Sequence, residues 1–512
     1  MNGAESLART LLACGVDTVF ANPGTSEMHF VSALDRVPGI RCVLGTFEGV
    51  VTGAADGYAR LAGRPAATLL HCGPGLGNGI ANLHNAHRAN SPVVNIVGDQ
   101  ATYHKPLKPL LAADTEGFAR GVSAWVRTAT RVEDVGRLAA EAVAAASSAP
   151  GDVATLILPS DASWNDGGAV GTPVAPIASH RVPDDAVAEM AKILRSGEPA
   201  VIMLAGRTLR AAALADAHRI AAKTGARLAA ETFIEHIERG RGRFDVERVP
   251  YVIDPAVAFL AGTRHLILVN AHDPVGFFAY PGKPSRMAPP DAAVHILARP
   301  EDDGPDALRR LADLLGCRPV APLRREKVEP PKGATSPEAL ARALSALLPE
   351  NAVVVDESIT MGAALYSGTA SAARHDWLQL TGGAIGIGIP LATGAAVGAP
   401  GRRVVNLQAD GSALYTLQGL WTQAREKLDV TTVILSNRTY AILFAELAGV
   451  GATRGPASNE LFSLAGPAHD WISLAKGFGV EAARVETMEE FADLFAAANR
   501  RRGPFLIELV VA

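Results

Sequence analysis

Two short polar islands interrupt apolar surroundings late in this 512-residue chain: Asp410-Gly411-Ser412, then Ser436-Asn437-Arg438-Thr439. A carboxylate, an amide oxygen and nearby carbonyls are hard donors. They suit a cation that also holds phosphate oxygens, most naturally Mg²⁺. The elements that must position them flank them in the sequence. Arg403 to Gln408 (RVVNLQ) reads as a buried strand, with Asp410 just past its carboxyl end. Leu414, Leu417, Leu420, Trp421 and Ala424 recur at helical spacing, and Val430 to Leu435 (VTTVIL) reads as the next strand. In a right-handed strand–helix–strand crossover both islands reach the carboxyl edge of one parallel sheet, where α/β proteins bind ligands. A helix starting at Ser412 would offer free backbone N–H groups to a phosphate. The segment reads as a magnesium-diphosphate site; the plainer alternative is a polar strand-to-helix turn without a ligand.

These residues resemble the thiamine diphosphate (ThDP) motif, which runs Gly-Asp-Gly, a helix and a strand, then Asn-Asn. Ala409 and Ser436 stand in place of its first Gly and first Asn. The resemblance implies that Asp410 and Asn437 give side-chain oxygens to Mg²⁺ and Thr439 its backbone carbonyl. Gly411, Ser412 and Tyr440 would adjoin the cofactor. A second stretch, Thr46 to Arg60 (TFEGVVTGAADGYAR), resembles the segment carrying the family's activating glutamate, with Glu48 in that position. A carboxylic acid against the pyrimidine ring favours the tautomer that can take the thiazolium C2 proton. The protein controls orientation and protonation state, and the cofactor supplies the carbanion chemistry. Taken alone, Glu48 would read as an acid complementing a helix N-terminus. A third stretch, Gly382 to Pro390 (GGAIGIGIP), resembles the segment that wedges an apolar side chain between the cofactor rings. It puts Ile385 at the wedge and the Gly383 carbonyl at the 4′-amino group. Ile359 and Thr360, in Glu357-Ser358-Ile359-Thr360, match the position of a diphosphate contact.

Residues 1–165 alternate β-runs (VDTVFA, RCVLGT, AATLLH, PVVNIVG, VATLILP) with helical stretches, which predicts a doubly wound α/β domain. A linker follows, and a second α/β unit is expected over 181–321, with AVIMLAG and RHLILVNA as strands. Residues 322–336 carry charge and proline, and a third α/β domain is expected over 336–512. The fold class is therefore α/β, with three doubly wound parallel-sheet domains. Their order resembles the decarboxylase and acetolactate synthase branch of ThDP enzymes: pyrimidine-binding, central Rossmann-like, then pyrophosphate-binding. That resemblance implies that Glu48 of one subunit serves the cofactor held by Asp410 of another. A dimer is then the minimal active unit and a homotetramer the common assembly.

The chain is 48% hydrophobic and 20% charged, with formal charge -4, so it carries no basic footprint for nucleic acid. No run approaches the ~18 apolar residues of a membrane span. The N-terminus opens on an amphipathic helix without a basic region, so no signal peptide is expected and a cytoplasmic location is. Cys14, Cys42, Cys72 and Cys317 lack CxxC spacing and read as reduced thiols.

The nearest resemblance is to benzoylformate decarboxylase. Asn22-Pro23-Gly24-Thr25 stands where that family has Asn-Pro-Gly-Ser, so Thr25 would contact substrate carboxylate. Leu70-His71-Cys72-Gly73 resembles its Leu-His-Ser segment, which makes His71 an acid/base able to titrate near neutral pH. A satisfied strand-end histidine is the bland alternative. The family's second histidine, counted without gaps, falls on Ala279, with Tyr280 and His272 nearby. Ile442, Leu443 and Glu446 would line the substrate pocket; Ile442 narrows it, and Glu446 disfavours an anionic or apolar tail. The expectation is a ThDP- and Mg²⁺-dependent non-oxidative decarboxylase of a small-molecule 2-oxo acid. Its implied course is C2 ylide attack, loss of CO₂ and an enamine. The alternative is an acetolactate synthase-like carboligase joining two 2-oxo acids, against which His71 argues; FAD is not expected. A non-catalytic cofactor-binding subunit is a third reading, motivated by Ala409. Gly73-Pro-Gly75-Leu-Gly77 supplies only part of a dinucleotide fingerprint.

Overall fold

The computed structural model describes residues 1–511, which form three sheets with helices packed on them. The first sheet is wholly parallel. In spatial order its strands are Arg41–Leu44, Thr18–Asn22, Ala66–Leu70, Val93–Asp99, Val153–Pro159 and Trp125–Thr128. Helices cover both faces, so Val93–Asp99 and Val153–Pro159 are buried along their whole length and read as continuous apolar runs. The strand order reverses between Thr18–Asn22 and Ala66–Leu70. A crevice opens at the carboxyl end of such a reversal.

The second sheet is also parallel, in the order Glu247–Arg248, Arg227–Ala230, Ala200–Leu204, His265–Val269, Ala293–Ala298. At its own reversal, Asn270 donates to the carbonyls of Arg299 and Asp302 at 2.6 and 3.0 Å, bridging its loops with its own amide.

The third sheet runs Glu481–Val485, Phe505–Val510, Val430–Ser436, Val404–Ala409, Ala352–Glu357, His375–Gln379, and last Ile237–Arg239. That last strand comes from the stretch that otherwise builds the second sheet, and it pairs antiparallel, His375 opposite Arg239. The third sheet reverses between Ala352–Glu357 and Val404–Ala409, so Glu357 and Asp410 flank its crevice. One difference from the sequence reading lies here. The helix expected from Ser412 to Ala424 is two short helices, Asp410–Ala413 and Gly419–Arg425. Between them the chain turns so that Thr416 Oγ1 donates to the Gly386 carbonyl at 2.7 Å. This tertiary contact outweighs the helical periodicity.

The first and third sheets are joined by their helices. Glu48–Ala62 lies along Gly388–Gly398, and small residues let the two touch backbone to backbone. A Cβ on Gly394 would fall 1.8 Å from the Ala54 carbonyl oxygen. No helix among the described residues is long and apolar enough to cross a membrane.

Candidate active site

Two groups of polar side chains gather at the two crevices. In the first sheet, Thr18–Asn22 runs into a turn ending in Glu27, and Ala66–Leu70 ends at His71. Glu27 is buried and accepts from His71 Nδ1 at 2.9 Å and from the Gly24 backbone N–H at 2.7 Å. Ser26 donates to Glu27 and lies 3.1 Å from His71 Nδ1 and 3.2 Å from the Cys72 sulfur. With Nδ1–H given to Glu27, a neutral His71 leaves Nε2 as its proton-accepting atom. Thr25 is exposed; the hydroxyl that reaches His71 belongs to its neighbour Ser26. Glu48 heads the helix Glu48–Ala62 and accepts at 3.0 Å from Nδ2 of Asn78, on the helix Cys72–Arg88 that follows His71.

Glu27, His71 and Cys72 present ligand-type atoms within 4.8 Å of one another. Burial pushes the Cys72 thiol up to about 11, so the thiolate a metal would need is disfavoured. Glu27 and His71 already satisfy each other. The cluster is a hydrogen-bonded orienting device.

In the third sheet, Asp410 accepts from the backbone N–H groups of Gly411 at 2.8 Å and Arg438 at 2.7 Å. Burial raises its pKa, because a desolvated carboxylate disfavours its charge. Asn437 Oδ1 accepts from the Thr439 N–H at 3.0 Å, which turns the second polar island on itself, while the Arg438 N–H bond ties that island to Asp410. The Tyr440 ring packs against Gly411, and Thr439 Oγ1 donates to the Phe462 carbonyl at 2.9 Å. Ser412 is turned inward, its hydroxyl accepting from Gln408 Nε2 at 2.7 Å. Ile442, Leu443 and Glu446 lie on the helix Ala441–Gly449, which buries none of its residues. Thr360 is exposed and Ile359 half-buried.

The Gly-rich loop 382–386 lies between the two groups and is held from three sides. Asn85 donates to the Ala384 carbonyl at 2.8 Å and accepts from the Gly382 N–H at 3.0 Å, while His84 Nε2 donates to the Gly382 carbonyl at 3.1 Å. Glu357, fully buried, accepts from the N–H groups of Gly386 (2.6 Å), Ile387 (3.3 Å) and Gly388 (2.7 Å). The Phe277 ring, from the loop after His265–Val269, stands against Gly383. Gly383 and Gly386 both take left-handed φ, +77° and +93°. Ile385 stays half-buried beside them.

Three non-glycine residues with positive φ mark the same places: Cys72 at +54°, Ile359 at +50° and Arg438 at +56°. Each is, or adjoins, a residue singled out from the sequence. Such conformations persist only where the surroundings over-determine them. Sequence reasoning missed Ser26, Glu27, His84 and Asn85 and read Glu357 only as part of a diphosphate contact. An acid two residues beyond Thr25 was the available signal. Among the described residues, no hydrogen bond joins Glu48 or His71 to Asp410, Asn437 or Thr439 within the chain.

Two family descriptions match this chain. The thiamine pyrophosphate enzyme N-terminal TPP binding domain covers residues 1–118, and the C-terminal TPP binding domain covers residues 358–509. The chain belongs to the family of thiamine pyrophosphate-dependent enzymes. Within it, the chain is 52% identical to a Mycobacterium tuberculosis protein provisionally named acetolactate synthase large subunit, over 100% of this chain and 99% of that one. It is 28% identical to a benzoylformate decarboxylase of Pseudomonas aeruginosa, covering 97% and 96% of the two chains. Among solved structures, a ThDP-dependent 4-hydroxybenzoylformate decarboxylase of Rhodococcus jostii superposes with TM-score 0.84 at 26% identity, over 100% and 99% of the chains.

Proposed function

We propose that this enzyme is a ThDP- and Mg²⁺-dependent non-oxidative decarboxylase of a 2-oxo acid. The observation that carries the reading is His71, oriented by buried Glu27 and Ser26 beside the Glu48 helix. Bound ThDP supplies a nucleophilic carbon and an electron sink for the bond to the departing carboxyl group. The residues present suit it. Asp410 is a buried carboxylate bonded only to backbone N–H groups, and beside the Asn437 amide oxygen and the Thr439 carbonyl it makes an all-oxygen donor set for Mg²⁺. Gly411, Ser412, Tyr440, Ile359 and Thr360 would line the diphosphate. Gly383 and Ile385 would meet the two rings. Glu48 would hold a proton against the pyrimidine. His71 Nε2 would move the proton that turns the decarboxylated fragment into an aldehyde, and Thr25 would face the substrate carboxylate.

The unit that works is at least a dimer, with Glu48 of one subunit facing Asp410 of the other, and a tetramer is the assembly proposed. Leu107 and Leu110, in the segment after Val93–Asp99, are 74% and 103% exposed, apolar surface that a subunit contact would cover. A second reading, an acetolactate synthase-type transferase joining two 2-oxo acids, draws on the name of the 52% identical relative. One experiment separates the two: CO₂ release from a panel of 2-oxo acids with ThDP and Mg²⁺, products identified by mass spectrometry. Aldehyde supports the decarboxylase. Acetolactate or a related 2-hydroxy-2-methyl acid supports the transferase. No CO₂ from any acid overturns both.

A further inference from the structure

Three side chains far apart in sequence meet at the rim of the glycine loop. Tyr251 precedes the helix Ile253–Leu260, Tyr280 lies beyond the strand His265–Val269, and Glu446 is on the helix Ala441–Gly449. Tyr251 donates its hydroxyl to Glu446 Oε1 at 3.0 Å, and Tyr280 donates to Oε2 at 2.5 Å. The Tyr251 ring lies 5.5 Å from that of Phe277, the ring that stands against Gly383, and Phe233 lies 5.7 Å from Phe277. The cluster is thus one ring removed from the loop assigned to the cofactor. No residue of the Glu446 helix is fully buried, and the two phenols are the hydrogen-bond partners that hold the carboxylate.

A phenol has one proton, and both protons here are given to Glu446. Burial and the neighbouring carboxylate raise both tyrosine pKa values, which keeps those protons in place. What remains on offer is acceptors only: the second lone pairs of the carboxylate oxygens and of the phenol oxygens. Around them stand aromatic faces, which attract cations. An anionic tail would meet like charge. An apolar tail would strip water from the carboxylate and return nothing. The same geometry argues against Tyr280 as the proton donor in place of a second histidine, because its O–H is committed to Glu446.

We propose that Glu446, held by Tyr251 and Tyr280, is the specificity-determining residue of this site. It selects a 2-oxo acid whose tail ends in a hydrogen-bond donor. The inference rests on the 2-oxo acid reading for the other end of the molecule. Its test uses the ThDP- and Mg²⁺-loaded enzyme and four tails of matched length, ending in guanidinium, hydroxyl, methyl or carboxylate. CO₂ release is measured from the 2-oxo acids. Calorimetry measures binding of the corresponding 2-hydroxy acids, which cannot be decarboxylated. A donor tail should bind about ten- to a hundredfold more tightly than methyl, the usual worth of a hydrogen bond to a charged group. The tighter of guanidinium and hydroxyl identifies the donor. Glu446→Gln should erase the guanidinium margin over methyl, and thermal melting shows whether the variant keeps its fold. If it does not, the double variant Tyr251→Phe, Tyr280→Phe decides, because it keeps the carboxylate and frees its position; the margin should shrink. Equal binding of donor and methyl tails, or a margin that survives substitution, overturns the proposal. Donor-tail binding without CO₂ release would overturn the decarboxylase alone. CO₂ release without a margin would overturn the specificity alone.

Discussion

His71 follows directly on the strand Ala66–Leu70 and caps the helix Cys72–Arg88, while Glu48 opens its own helix a short loop after the strand Arg41–Leu44. For His71, Glu27 fixes which ring nitrogen faces outward. Glu27→Gln should therefore lower kcat about a hundredfold with KM little changed, the scale of loss when a reacting group is misplaced. Steady-state kinetics checks it, and an equal rise in KM would mean that Glu27 acts in binding instead. At the other crevice, burial raises the Asp410 pKa, and a bound cation would favour its charged form. Wild-type enzyme should gain about 2.7 kcal/mol of stability when ThDP and Mg²⁺ stand a hundredfold above their dissociation constant. Asp410→Asn should lose that gain, read as an absent shift in melting temperature on adding both.

Backbone turns do as much here as side chains. Gly386 has φ +93°, and a Cβ there would lie 2.5 Å from Tyr415 Cβ, an atom that side-chain rotation does not move. Gly386→Ala should cost at least about 2 kcal/mol, measured by urea unfolding, because left-handed strain adds to the clash. The strand His375–Gln379 carries a different constraint. Burial pushes His375 down to about 3, and the neighbouring His236 is also lowered by burial. His375 stays neutral in the fold while the unfolded chain takes up protons near the ordinary histidine value of about 6.5. Its contribution is thus complete above about pH 6.5 and lost as pH falls towards the folded value. The slope is up to ~1.4 kcal/mol per pH unit. Unfolding series at pH 7.5, 6 and 5 should show it, with one proton fewer in the slope of His375→Gln. Buried strands such as Val430–Ser436 were legible because a β-branched run of strand length is bounded by polar residues. Trp125–Thr128 and Ile237–Arg239 were not, being four and three residues long with partners supplied only by the tertiary fold. Asp410 and Asn437 stand out as polar residues in apolar company. Glu27 hides beside the hydroxyl of Thr25, and the Tyr251–Tyr280–Glu446 contact spans too much sequence for any local pattern.

Each molecule gathers polar side chains at two crevices, one in its first sheet and one in its third, and the proposed dimer would join them across subunits. Complementation tests whether the crevices of different subunits work together. Glu48→Gln and Asp410→Asn chains, each inactive alone, should regain roughly a quarter of wild-type activity when mixed and allowed to exchange. Half of the dimers are then hybrids, each with one intact site out of two. No recovery, with exchange verified by mass, would put each site within one chain. The strand Ile237–Arg239 has a consequence of another kind. It leaves the ribosome before every other strand of its sheet, so translation lays down a border first and the rest of the sheet is assembled towards it. A gene cut at the proline-rich 322–336 linker, the place a molecular biologist would choose, would yield a piece with His375–Gln379 as a raw, unpaired margin. That piece should clump when expressed, and the workable cut is one that carries the border along.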